Sequence, residues 1–297
     1  MRLVSRMRCD CAKQSRIIGV LLLASLLAAC SAVKLAYNNL PELSYWWLDG
    51  YLDFDGAQTP RMRDELAQLL DWHRRNELPK VTRLLQKAEA LATDDITPAQ
   101  VCEVGDEIRA RLLAVAERAE AAGAELALSL SDAQLQQLER KYAKVNADYR
   151  KDWLARSDAR QQDKRYDQFL ERNEDFYGTL DRPQRELLRQ QVAQSAFSAQ
   201  RVDAERRNRQ QEALALLRGF RVSQTPPVEV RAALHAYVLR IADPPPGPWR
   251  TYQQAMLQEG CRNVATLHNG TSAAQRERAV RRLQAYQTDV RELASAQ

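Results

Sequence analysis

The chain has 297 residues and a formal charge of +5, from 44 Lys and Arg against 39 Asp and Glu, with 45% hydrophobic residues. The excess of base is concentrated at the N-terminus. Residues 1–29 hold Arg2, Arg6, Arg8, Lys13 and Arg16 against Asp10 alone, and the remainder has 39 bases and 38 acids. A nearly neutral body gives no electrostatic footprint for nucleic acid, and 10 Gly with 11 Pro leave little punctuation for a β-rich fold.

The first element is a processing signal. The run Ile17 to Ala29 carries no charge but is shorter than the roughly 20 apolar residues that span a bilayer. A basic segment, a short apolar run and small residues before a cut describe a secretory signal. Leu27-Ala28-Ala29-Cys30 matches the bacterial lipobox, in which Cys30 is acylated and becomes the mature N-terminus. Ser31, in place of Asp at the second mature position, favours the outer membrane over the inner by the sorting logic of Gram-negative lipoproteins. Several acyl chains on one residue anchor a protein stably. The expected location is the bacterial cell envelope, at the outer membrane and facing the periplasm.

Residues 30–59 form a lipidated, aromatic-rich segment with Tyr37, Tyr45, Trp46, Trp47, Tyr51 and Phe54. Two placements are open: against the lipid headgroups, where Trp and Tyr concentrate, or packed into the protein core. The interleaved Asp49, Asp53 and Asp55 favour the core.

Beyond it Ala, Leu, Gln, Glu and Arg dominate, all good helix formers, and no run of alternating β-branched residues occurs. The fold class is all-α, an elongated bundle of long antiparallel helices with a small C-terminal helical piece. Helices are predicted over about 60–77, 80–92, 98–122, 132–177, 182–218, 229–242, 249–268 and 273–293, and Pro79 ends or kinks the first. The main helical domain covers 60–242. The Pro-rich linker 243–248 is a stiff spacer, and 249–297 is the C-terminal segment. Thr97-Pro-Ala-Gln100, Ser131-Asp-Ala-Gln134, Asp181-Arg-Pro-Gln184 and Ser272-Ala-Ala-Gln275 are capping boxes that start helices. Leu135, Leu138, Tyr142, Val145, Tyr149 and Trp153 form a heptad-like seam.

Once Cys30 carries lipid, and Cys9 and Cys11 leave with the signal, Cys102 and Cys261 remain. In an oxidising compartment they form either a disulfide or two buried thiols, and spacing alone does not decide. "DWHRRNELP", residues 71–79, is the stretch most like a site. His73 and Glu77 lie four apart on one helix face and could share a proton or metal. Two ligands do not make a metal site, so packing by Trp72 and ion pairing by Arg74 are the simpler roles. Asp53-Phe54-Asp55-Gly56 lacks the twelfth-position Glu of a calcium loop. No nucleophile elbow or phosphate loop is present. No cofactor, metal or catalytic residue is therefore expected.

Tyr37-Asn38, Trp46-Trp47, Tyr51-x-Asp53, Gln58, Trp72-His73-Arg74 and Leu78-Pro79 occur in an order that resembles an uncharacterised proteobacterial lipoprotein family, domain-of-unknown-function family 6279. That resemblance implies a lipoprotein and carries no activity. Leu130-Ser-Asp-Ala-Gln134 also resembles the LTxxQ motif of Spy-like periplasmic chaperones. The expected function is non-enzymatic binding or scaffolding of another envelope component, with the membrane reached through the N-terminal lipid. A chaperone-like clamp for exported clients is the alternative, and an enzyme centred on His73 and Glu77 is the competing class.

Overall fold

The computed structural model describes residues 34–296; Cys30 and its lipobox lie outside the described residues. After a short helical stretch at residues 34–38, eleven longer α-helices follow one another among the described residues, joined by short turns. They are α1 (Leu40–Leu52), α2 (Gln58–Asn76), α3 (Leu78–Leu91), α4 (Pro98–Ser129), α5 (Asp132–Tyr149), α6 (Asp158–Tyr177), α7 (Arg182–Ala193), α8 (Ala199–Val222), α9 (Pro227–Ala242), α10 (Pro248–Asn269) and α11 (Ala273–Ser295). No strand occurs among them. The protein is all-α.

Local chemistry explains most boundaries. Pro79 falls in the first turn of α3, where its missing N–H costs nothing. The four predicted capping boxes form, each Ncap oxygen accepting from the backbone N–H of the Gln three residues on. Gly178, at φ 82°, closes α6 in a conformation that few other residues adopt.

Two predicted rods are broken. Between α5 and α6 a π-helical turn, Arg150–Leu154, is followed by Ser157, whose side chain accepts from Arg160 N and starts a new helix. Ser198, five residues after α7 ends at Ala193, accepts from Arg201 N and starts α8. Both breaks follow from serine caps inside polar stretches, where no apolar seam held the chain in one rod. In the other direction, α4 continues past the predicted end at Ala122 as far as Ser129, with Gly123 inside the helix.

The Pro-rich turn does not set the C-terminus apart. Here α10 packs on α4 and α7, and α11 runs along α3 and touches α2 and α6. The predicted C-terminal piece, residues 249–297, thus packs mainly against α3 and α4. Cys102 on α4 and Cys261 on α10 are joined by a disulfide across that contact.

The capping boxes do more than start helices. Asp55 and Gln58 exchange the same two bonds as the other boxes, making a fifth that the prediction missed. Gln58 and Gln134 then face each other. Gln134 Nε2 donates to Gln58 Oε1 at 2.6 Å and to the Asp53 carbonyl, and Gln58 Nε2 donates to the Ser129 carbonyl. Gln184 and Gln275 repeat the arrangement: Gln184 Nε2 donates to Gln275 Oε1 and the Gly270 carbonyl, and Gln275 Nε2 donates to Gln184 Oε1 and the Thr179 carbonyl. In both pairs each amide reaches the carbonyl two residues before its partner's cap. Four helical corners are thereby locked two by two, and their buried polar groups are satisfied.

Leucines fill the space beside these locks. Leu130, Leu135 and Leu138 gather with Leu52 and Leu214 around the first pair. Leu180, Leu188 and Leu267 gather with Tyr166 and Tyr177 around the second. A third cluster, with Ala124, Ala127, Phe220 and Val230, seats α9 against α4.

Candidate functional site

The N-terminal aromatic segment is itself a helix, α1, which was not among the predicted elements. Tyr45 and Leu52 face inward and are buried. Tyr45 Oη is 3.0 Å from Thr59 Oγ1, and the Arg63 guanidinium lies 4.4 Å over its ring. Trp46 and Trp47, by contrast, are 60% and 62% exposed, and Leu43 is 54% exposed. The expectation that these rings pack into the core therefore holds for Tyr45 and fails for the two tryptophans. The acids that favoured the core are occupied in the following turn. Asp49 accepts from Phe54 N, and Asp55 accepts from Ala57 N and Gln58 N.

Beside α1 lies an apolar groove of about 440 Å³. Five helices contribute its wall: Trp47 and Tyr51 from α1, Leu126 from α4, Tyr142 from α5, Leu217 from α8 and Leu234 from α9. Trp47 packs against Tyr51 with 4.8 Å between ring centres and the rings tilted at 45°. Burial pushes the Tyr142 hydroxyl up to about 12, so it stays neutral in this wall. The groove exists because α1 crosses α5 while α4 carries α9 on its other flank.

The Trp72-His73-Arg74 motif lies on α2, next to the chain leading into α1. His73 Nδ1 is 2.8 Å from Tyr37 Oη, and Arg74 donates to Asn38 Oδ1 at 2.6 Å. Arg74 also reaches the Ala296 carbonyl at the end of α11. Lys34 pairs with Asp289 and Glu292 of α11. Burial lowers the His73 pKa, partly offset by the Glu77 carboxylate, and burial raises Tyr37 to about 12. Both groups are neutral at physiological pH and act as a clamp on residues 34–38.

Glu77 does not join His73 in a shared site. It is fully buried at the junction of α2 and α3, where Lys80 Nζ at 2.7 Å and Arg111 at 3.3 Å neutralise it. Four-residue spacing put both side chains on one face, but the helix ends at Asn76, and Glu77 turns towards α4. Trp72 is half-buried. Among the described residues no group of three or more His, Cys, Asp or Glu could hold a metal ion, and no helix is long and apolar enough to cross a membrane.

A second cavity, of about 240 Å³, lies between α6, α7 and α10, with Phe169, Leu188 and Met256 in its wall. Arg165 at its edge donates to Ser195 Oγ at 2.8 Å. The guanidinium also stacks 4.5 Å over Phe197. Through these contacts Arg165 holds the α7–α8 turn.

Fold and site together define an all-helical protein with an exposed aromatic helix near its N-terminus. A model of a family of unknown function, DUF6279, matches residues 50–227, and the chain belongs to that family. No curated protein and no solved structure matches it.

Proposed function

We propose that this protein is an outer-membrane lipoprotein of the bacterial envelope that faces the periplasm and works by binding rather than by catalysis. The compartment rests on the lipobox Leu27-Ala28-Ala29-Cys30 and the basic, then apolar, run before it. The observation that carries the binding role is the groove whose inner wall is Tyr51, Leu126, Tyr142, Leu217 and Leu234. An open apolar concavity lined chiefly by leucines suits the apolar face of a helix or extended segment from another envelope protein. The commitment of His73 to Tyr37 and of Glu77 to Lys80 and Arg111 supports a structural role for the one cluster that resembled a catalytic pair.

The test is site-specific photocrosslinking in intact cells. A photoreactive residue at Leu126 or Leu234 should capture a discrete envelope protein, identified by mass spectrometry. The same probe at exposed Leu112 on α4, away from the groove, should not. Equal capture from all three positions would refute the groove as the binding surface. A holdase would instead suppress aggregation of several denatured clients at near-stoichiometric ratios.

A further inference from the structure

We infer that the exposed face of α1 is a membrane seat: Leu43, Trp46 and Trp47 lie in the headgroup region of the bilayer that holds the Cys30 lipid. The inference deepens the lipid-anchor proposal and rests on it for the identity of the surface.

Helical geometry makes these residues one face. At about 100° per residue, Leu40, Leu43, Trp46 and Trp47 fall within an arc of roughly 120°, opposite buried Tyr45 and Leu52. The acids Asp49, Asp53 and Asp55 that seemed to oppose a lipid contact stand outside that arc or bond the α1–α2 turn. Trp at a membrane–water boundary places an apolar body in lipid and its N–H in the wet headgroup layer. The face ends at Trp46, where the Arg63 guanidinium lies 6.0 Å from the ring and pairs with Glu42 at 3.4 Å, so this edge is polar but carries no net charge.

Chain length fixes the occupant. Three residues lie between Cys30 and Lys34, four chain steps that extend at most about 14 Å. Residues 34–38 are helical and add about 8 Å. The start of α1 is therefore within about 25 Å of the acylated sulfur. The connection is also pinned, by Lys34 to Asp289 and Glu292, by Tyr37 to His73, and by Asn38 to Arg74. A tether this short holds the face at high effective concentration against its own membrane, ahead of any free partner.

The test uses the intrinsic fluorescence of the lipidated protein in phosphatidylethanolamine–phosphatidylglycerol vesicles doped with phosphatidylcholine brominated near the headgroup. Trp72, Trp153 and Trp249 are partly buried in the bundle, so bromine quenching reports on Trp46 and Trp47. Wild type should be quenched by the brominated lipid and shielded from aqueous acrylamide. Trp46→Ser/Trp47→Ser, with circular dichroism unchanged, should lose the quenching. Residues 31–297, exported under an ordinary secretory signal, lack the lipid and nothing within the described fold. They should still partition weakly onto the vesicles, and the double substitution should reduce that partition by roughly tenfold or more.

Lipid attached at Cys30 with no bromine quenching overturns the seat and leaves the anchor standing. Shielding from both quenchers, with dimers on crosslinking, assigns the face to a second copy and overturns it equally. Absence of lipid on Cys30 overturns the anchor. The vesicle partition of residues 31–297 then decides the seat alone, and no partition overturns it.

Discussion

Reducing the Cys102–Cys261 bridge should destabilise the fold substantially without deleting any side chain. The two cysteines are 159 residues apart and join α4 to α10. Chain-entropy theory assigns a closed loop of about 160 residues roughly 17 cal/mol/K, or about 5 kcal/mol at 25 °C. Residual helix in the unfolded chain already restricts it, so about 2–4 kcal/mol is the realistic range. At about 2–4 °C per kcal/mol for a chain of this size, the melting temperature should fall by about 5–15 °C. Reduction is a cleaner perturbation than substitution, because Cys261 is buried and Cys261→Ala would add a void. Urea titration followed by circular dichroism, with and without reductant, measures the shift. The double variant Cys102→Ala/Cys261→Ala should be insensitive to reductant. A midpoint that does not move on reduction, or two thiols titrating in the denatured, unreduced protein, would refute the reasoning.

Three further outcomes follow from the same structure. Gln184→Ala removes the amide that satisfies the Asp181 N–H, Gln275 and the Gly270 carbonyl, and should cost about 2–4 kcal/mol in urea unfolding. Gln100→Ala, in a box with no facing amide, should cost about 1 kcal/mol or less, and equal costs would sink the corner-lock account. His268 is buried, with Nε2–H donating to the Asp94 carbonyl and Nδ1 accepting from Tyr177, so it is held neutral and its pKa is lowered, chiefly by burial. Between the ordinary value near 6.5 and that lowered value, the unfolded chain binds a proton that the folded chain refuses. Stability should thus be complete above pH 6.5 and fall as pH is lowered through that window; His268→Gln should flatten the slope, and an unchanged slope would count against it. Leu180→Ala, at a buried position inside the second cluster, should lose about 2–5 kcal/mol in the same assay.

Much of the helical layout was legible because caps and periodicity are local. Thr97, Ser131, Asp181 and Ser272 start helices where their spacing to Gln predicts. The fifth box, Asp55-Gly-Ala-Gln58, carried the same signal but was hidden by its likeness to a calcium loop. Serine caps without a Gln, at Ser157 and Ser198, broke two predicted rods, because a lone serine in a polar stretch is weak punctuation. The pairing of Gln58 with Gln134 and of Gln184 with Gln275 was not legible. Partners 76 and 91 residues apart meet only through tertiary packing. The aromatic segment was misjudged for a related reason. Composition did not separate Tyr45, which packs, from Trp46 and Trp47, which do not, until the segment was seen to be a helix. His73 and Glu77 shared a face on paper, but the α2–α3 junction falls between them and assigns each to different partners.

The central proposal is that the chain acts from a lipid on Cys30. Intact-mass and tandem mass spectrometry of the N-terminal peptide, from protein expressed in a Gram-negative host, addresses it directly. The account predicts a first residue of Cys30 carrying diacylglycerol on sulfur and an acyl group on nitrogen, with the modification and membrane retention both lost in Cys30→Ala. A chain that keeps residues 1–29, or is cleaved elsewhere with an unmodified Cys30, would contradict it.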